Sequence, residues 1–338
     1  MTLLSLGLVW AVAIAVSLAV TGLVAVAGLG DVPDGRSSHS RTTPTAGGLG
    51  VLAGLGAAFL LPVLEGSEME PLAALLALVF AVGVLGLYDD VFFLGPKRKF
   101  AAMLAVAGLA VAVVGPVEVL PTLGGGISLP PWLGFAGAVL WIFVVMNAVN
   151  FIDGINGIMA GTLNAAAMGV AGIAGALGAP SASVLAVALS GALLGFLPYN
   201  FRTRARVFAG DTGALAAGFV FALLPLLMVR EAAPDALYVA PVLILPVLAD
   251  VLMTLVRRAR RGERLLVPHR GHLYQIAARR FGHVAVASVY LGLVLPLTLG
   301  VLGLIAAGWE SSLGVLLALA VVSGVTVLCL AHLWDDRA

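Results

Sequence analysis

The residues with chemical capacity in this chain are few and cluster in short segments. Asp89 and Asp90 stand side by side in GLYDDVFFLGPKRKF, at the end of an apolar run. A charge at the centre of a membrane helix costs roughly 2.5–3.5 kcal/mol on insertion scales, less near the interface. Lys97, Arg98 and Lys99 read as a positive stop after the run, but adjacent carboxylates do not anchor a helix end and need another reason. Asn147, Asn150 and Asp153 are spaced i, i+3, i+6 in NAVNFIDGINGIMAG and so share one helical face. Asn156 continues the series past Gly154, the natural break. The bland reading of that stripe is an inter-helix hydrogen-bond seam. Asp211 lies between Gly210 and Thr212-Gly213 ahead of another apolar run, and by itself reads as a helix N-cap. The segment RRARRGERLLVPHRGHLYQ carries His269, Arg270 and His272 behind a basic run. Two histidines at i, i+3 fit two metal ligands. No third nitrogen or sulfur ligand is near, and the surrounding cations favour an anion such as a nucleotide phosphate. Arg257 to Arg264 read as a snorkelling run against anionic headgroups. Carboxylates from several segments, close to phosphate, are the setting in which proteins hold Mg2+.

The elements that position these residues are membrane spans. Of 338 residues, 61% are hydrophobic and only 10% charged, where a soluble domain carries about 25% charged residues. Bilayer, not water, is therefore the solvent for most of the chain. The spacing of apolar runs predicts an all-α, polytopic protein of about 11 transmembrane helices. They cover 3–29, 46–64, 72–92, 100–117, 132–150, 157–178, 182–200, 212–229, 237–256, 283–307 and 313–333. The first run is too long and evenly apolar for a cleaved signal peptide. Strict alternation divides the loops into two sets, and all 18 Lys and Arg residues except Arg230 fall in one of them. Positive residues stay inside, so that set is cytoplasmic, with the N-terminus outside and the C-terminus inside. It holds the loops near 30–45, 89–99, 150–156, 201–211 and 257–282, hence every acidic and imidazole cluster above. The whole chain, 1–338, reads as a single membrane-embedded domain. One cysteine, Cys329, excludes an intrachain disulfide and Cys-type zinc clusters.

Taken together, RSSHSRTTPTAGG (36–48), Asp89-Asp90, NAVNFIDGINGIMAG (147–161), PYNFRTRARVFAGDTGALAAGF (198–219) and HRGHLYQ (269–275) resemble the motifs of the polyprenyl-phosphate N-acetylhexosamine-1-phosphate transferase superfamily. They occur in the family's order and on one side. The resemblance implies transfer of an N-acetylhexosamine-1-phosphate from a UDP-sugar to undecaprenyl (polyprenyl) phosphate, releasing UMP, at the cytoplasmic face of the inner membrane. It implies a first membrane step of cell-envelope glycan synthesis, with Mg2+ as cofactor and Mn2+ as a substitute. Asp89, Asp90 and Asp211 would be catalytic, and Asp211 and Asp153 would hold the metal. Asn147, Asn150, Asp153, Asn156, His269, Arg270, His272, His39 and Arg41 would bind substrate. The separate roles of Asp89 and Asp90 stay open. The implied partners are the lipid phosphate, the UDP-sugar, the bilayer and a second copy in a homodimer, with no nucleic acid. Eleven spans fit the GlcNAc-type branch. Two departures stand out. Asn156 replaces a second acid, and Tyr274-Gln275 replaces further histidines. The latter resembles a branch in O-antigen-type surface-glycan assembly, leaving GlcNAc, FucNAc and QuiNAc open as the sugar. The rival reading is a secondary transporter, whose polar site would lie near the midplane between repeats. The one-sided acids and the lack of an inverted repeat argue against it.

Overall fold

The computed structural model describes residues 2–28, 30–31, 43–64, 70–122, 125–265, 267 and 269–307. Helix α1 (Leu3–Ala27) is followed by the two-residue strands β1 (Gly30–Asp31) and β2 (Thr43–Pro44), which pair antiparallel. Then come α2 (Gly48–Leu64), α3 (Glu70–Phe92) and α4 (Pro96–Val114). A hairpin of β3 (Val119–Thr122) and β4 (Gly125–Ser128) precedes α5 (Pro131–Ile152), α6 (Ile158–Leu177), α7 (Pro180–Asn200) and α8 (Gly210–Glu231). A 3-10 turn, Pro234–Tyr238, leads into α9 (Val239–Leu243), α10 (Leu245–Arg260), α11 (Leu273–Phe281) and α12 (His283–Ala306).

Proline and glycine set the helix ends. Pro96, Pro131 and Pro180 occupy first-turn positions, where a missing N–H costs nothing. Between the ends the long helices are apolar on nearly all sides and hide their backbone polar groups internally, as a bilayer requires, whereas α10 and α11 are amphipathic. Seven described helices are long and apolar enough to cross a membrane, or eight if the pair Pro234–Leu243 and Leu245–Arg260 is one span bent by 74°. Ten of the eleven predicted spans coincide with described helices, the ninth as that bent pair. Lys97, Arg98 and Lys99 at its start set α4 apart from the other long helices. The eleventh span, 313–333, lies outside the described residues.

Burial separates centre from rim. In α8, 94% of the apolar span is buried and in α7 89%, against 17% in α1 and 22% in α12. Helix α8 is therefore the axis of the bundle, with α5 and α3 packed on it, while α7 joins it to α1 and α6. Polar side chains inside this core are partnered across helices. Trp10 Nε1 donates to Ser190 Oγ at 3.3 Å, and Ser190 and Asn164 side chains meet at 2.7 Å. Such bonds tie helices together where solvent supplies no hydrophobic drive. The C-termini of α3 and α5 and the N-termini of α4 and α8 all come to the same end of the bundle, where Asp89, Asp90, Lys99, Asn150 and Asp211 meet.

Candidate active site

One wall of the site is made where α3 turns into α4. Leu94 N donates to Asp89 Oδ1 at 2.7 Å and Phe93 N to the Asp89 carbonyl at 3.0 Å. Phe93 sits in the left-handed region (φ 51), a strained position for a bulky residue and one that clusters at functional sites. Gly95 (φ 77) then reverses the chain into Pro96. The turn is so tight that Lys99, one turn into α4, folds back onto Asp89 Oδ2 at 3.0 Å and also onto Asp211 Oδ2. Lys99 thus bridges two carboxylates with only 13% of its side chain exposed. Asn150 Nδ2 donates to the other oxygen, Asp211 Oδ1, at 2.6 Å.

Asp90 points elsewhere. Its carboxylate accepts from Asp211 N at 2.8 Å, Thr212 N at 3.0 Å and Thr212 Oγ1 at 2.8 Å. The two backbone donors are free N–H groups of the first turn of α8, whose own N-cap, Ala209, has no side-chain acceptor. An acid from α3 therefore caps α8 and sits at the positive end of its dipole. Asp211 is not the cap of its helix, as the local sequence suggested. It occupies the first turn and is free to face the site. The approach is allowed by Gly86, where a Cβ would come within 2.5 Å of the Asp211 carbonyl oxygen. The other side of the segment is braced by the end of the first motif. Phe208 N donates to Pro44 O at 2.7 Å, Gly47 N to Phe208 O at 3.0 Å and Gly48 N to Ala209 O at 3.0 Å.

The amide stripe behaves partly as expected. Asn147, Asn150 and Asp153 lie along one face, and α5 ends at Ile152 with Asp153 as its C-cap. Burial, reinforced by the charges of Asp211 and Asp90, pushes the Asp153 carboxyl well above the usual range. Asn147 Nδ2 is held by Phe143 O at 2.8 Å. Asn156 is turned away. Its Nδ2 donates to Arg202 O at 2.7 Å and Thr203 O at 3.3 Å, which pins the 201–206 loop to the turn after α5. Gly157 N donates to Asn200 Oδ1 at 2.7 Å and Asn200 Nδ2 to Val207 O at 2.9 Å, completing the same brace.

The opposite wall comes from α10 and α11. Asp250, fully buried in α10, accepts from Leu273 N and Tyr274 N, both at 2.9 Å. It therefore caps α11 from a neighbouring helix, as Asp90 caps α8. Arg257 donates to Gly271 O, and Arg258 bonds Glu263 Oε2 at 2.8 Å, Arg264 O at 2.8 Å and Val267 O at 3.2 Å. The predicted snorkelling role thus fails for these two arginines, which fold the loop that presents the histidines. His269 and His272 stack with centroids 4.8 Å apart. Burial, with His272 and Arg258 adding to it, pushes His269 down to about 4. Tyr274, wholly buried and kept protonated by that burial, donates to Phe151 O at 2.7 Å and joins the two walls.

Between the walls lies a cavity of about 360 Å³. Asp89, Asn147, Asn150, Asp153, His269 and His272 line it together with Lys99, Tyr274 and Gln275. Asp211 stands behind Lys99 and Asn150. Asp90, Asn156 and Arg270 do not line it, and Arg270 is exposed on the loop. His39 and Arg41 lie outside the described residues. Two residues escaped the sequence reading. Lys99 was absorbed into the basic stop, although it stands four residues before Met103 and extends the buried stripe Met103, Ala107, Ala110 and Val114. Asp250 was passed over, although an acid within LPVLADVLMTLV, on the buried stripe with Val247 and Thr254, was itself the signal.

All-helical spans and a charged cavity at their common end define a polytopic membrane enzyme. The chain belongs to glycosyl transferase family 4, whose profile matches residues 72–229. It is 30% identical to the probable undecaprenyl-phosphate N-acetylglucosaminyl 1-phosphate transferase of Bacillus subtilis, over 77% of this chain and 73% of that protein. It is 31% identical to the decaprenyl-phosphate N-acetylglucosaminephosphotransferase of Mycobacterium tuberculosis, over 90% and 83%. With the phospho-N-acetylmuramoyl-pentapeptide-transferase of Geobacillus kaustophilus it shares 34% identity over 59% of this chain and 65% of the relative.

Proposed function

We propose that the protein transfers an N-acetylhexosamine-1-phosphate from a UDP-sugar to a polyprenyl phosphate, undecaprenyl phosphate in particular. The products are polyprenyl-diphospho-N-acetylhexosamine and UMP. The reading rests on family membership and on one observation: Lys99 bridges Asp89 and Asp211 beside Asn150 at the edge of a cavity that extends to His269 and His272. An oxygen of the lipid phosphate attacks the phosphorus that carries the sugar, and the bond to UMP breaks. One phosphoanhydride replaces another, so the step is nearly isoenergetic. The obstacle is the repulsion between two anions, which fixed cations and preorganised donors offset.

The donor set fits Mg2+. Mg2+ keeps several waters and takes one or two carboxylates together with substrate phosphates. Among the described residues no three His, Cys, Asp or Glu groups form a closed metal cage. Asp211 and Asp153 supply the one or two carboxylates that such an ion needs. The upward push on Asp153, from burial and from the charges of Asp211 and Asp90, marks a place where extra positive charge is welcome. When bound, the ion supplies charge neutralisation at the diphosphate, and Mn2+ would serve in the same way.

The protein's own groups then divide the work. Lys99 offers an ammonium to the phosphates once it is drawn from its carboxylates. Asp89 orients Lys99 and the lipid phosphate, and little proton abstraction is needed from a phosphate already ionised. Asn147 and Asn150 orient the nucleotide end. Asp90 acts through α8 by fixing Asp211, which separates it from Asp89. The excess of Lys and Arg in the loops at this end supports a site at the cytoplasmic face of the inner membrane. There a soluble nucleotide sugar and a lipid phosphate both have access.

The test is purified full-length protein with undecaprenyl phosphate, Mg2+ and a panel of UDP-sugars. UMP release with at least one N-acetylhexosamine, lost in EDTA and in Asp211→Asn, supports the reading. No release with any sugar, or release indifferent to both changes, would overturn it.

A further inference from the structure

Asp250 makes more contacts than a helix cap requires. Its Oδ1 accepts from Leu273 N at 2.9 Å and Thr254 Oγ1 at 3.4 Å, and its Oδ2 from Tyr274 N at 2.9 Å and Tyr290 Oη at 2.6 Å. Its fifth neighbour is His272, whose Nδ1 lies 3.5 Å from Oδ1. That nitrogen is buried without another partner. His272 is the N-cap of α11 and its side chain faces Gln275 N as in a capping box, but that N–H donates to the His272 carbonyl at 3.1 Å. A buried carboxylate beside a buried ring nitrogen decides where the ring proton sits, because a lone pair facing a carboxylate is repelled and an N–H is attracted. The four other donors hold that carboxylate still, which is how an outer residue fixes the tautomer of a working histidine.

We infer that Asp250 is a positioning residue that holds the His272 proton on Nδ1 and so turns a bare Nε2 lone pair toward the cavity. This rests on the proposed transferase reading for what fills the cavity, but not for the tautomer. A bare Nε2 accepts hydrogen bonds and repels phosphate oxygens. Its partner in the substrate is therefore an N–H or O–H group, which the hexosamine, the ribose and the uracil all carry. His272 thus meets a neutral donor of the nucleotide sugar, not the diphosphate, which narrows the broader role implied by the motif.

The experiment is nitrogen NMR of the full-length protein in lipid nanodiscs, labelled at the imidazole nitrogens, in mildly alkaline buffer. His272→Gln identifies the resonance. The expected result is a protonated-type Nδ1 and a bare-type Nε2 for His272, lost or mixed in Asp250→Asn. A proton on Nε2, a doubly protonated ring, or a spectrum unchanged by Asp250→Asn overturns the inference. Kinetics give the second readout. Asp250→Asn should lower kcat/KM for the UDP-sugar about 10-fold or more, and add almost nothing in a His272→Gln background, since coupled residues are not additive. Equal loss in both backgrounds would mean that Asp250 only stabilises the fold. If the unsubstituted protein releases no UMP, the transferase reading fails while the tautomer result still decides this inference.

Discussion

The two walls of the cavity are built by the same device and do opposite things with it. In each, an acid on one helix caps the N-terminus of another: Asp90 of α3 caps α8, and Asp250 of α10 caps α11. Beyond Asp90 the capped helix presents Asp211 to a charged cluster of Asp89 and Lys99. Beyond Asp250 the histidine loop presents stacked rings, with His269 held neutral by burial and by the charges around it. One wall is arranged for phosphate and a hard cation, the other for hydrogen bonds to an uncharged group. In α8, capping from outside makes this possible, because Asp211 inside the first turn is released from capping its own helix.

Neutralising the charged wall should have the largest effect. Asp211→Asn should lower UMP release by at least about 1,000-fold, the scale of losing a preorganised electrostatic group, with the thermal midpoint little changed. Lys99→Met should come next, with a loss of about 100-fold. Lys99→Arg should recover only part of it, because a planar fork does not bridge Asp89 and Asp211 as a point charge does. Asp90→Ala should show a mixed signature. Removing the α8 cap costs about 0.5–2 kcal/mol and lowers the thermal midpoint, and activity falls less than in Asp211→Asn.

On the neutral wall the effects are smaller. The folded His269 sits at about 4, below the 6.5 of the free side chain, so the unfolded chain binds the extra proton between those values. Stability should therefore be fully present above pH 6.5 and fall as pH drops through that window toward 4. His269→Gln should flatten that part of the thermal midpoint–pH curve and leave no ionisation missing from the activity profile near neutrality. Tyr274→Phe, which deletes the bond to Phe151 O and the hydroxyl's contacts with Gly154 and Gln275, should cost about 1 kcal/mol. A loss as large as that of Lys99→Met would erase the distinction between the walls.

Much of this was legible in the sequence, for physical reasons. Apolar length fixes the spans, because a bilayer leaves no other way to bury backbone groups, and ten predicted spans coincide with helices. Acids at span ends are costly enough to be conspicuous, and Asp89, Asp153 and Asp211 come to one place. Orientation among neighbours was not legible. Asp89 and Asp90 are identical in type and adjacent, and only the packing of α3 on α8 decides which faces the cavity. Asn156 looked like the last step of a polar stripe, but the helix ends at Ile152 and the side chain turns to brace a loop. Lys99 looked like its neighbours Lys97 and Arg98, which are exposed, until helical phase placed it on the buried stripe of α4. Asp250 shows that a lone acid in an apolar helix needs as much explanation as a motif does.

In the proposed reaction a phosphorylated sugar, not a bare sugar, crosses to the lipid in this cavity. A UDP-N-acetylhexosamine labelled at the phosphorus next to the sugar tests it directly, incubated with the protein, undecaprenyl phosphate and Mg2+. The label should enter the lipid phase in equal amount to the UMP released, and should not do so in Asp211→Asn. Label remaining in water as UDP while the sugar enters the lipid would contradict it.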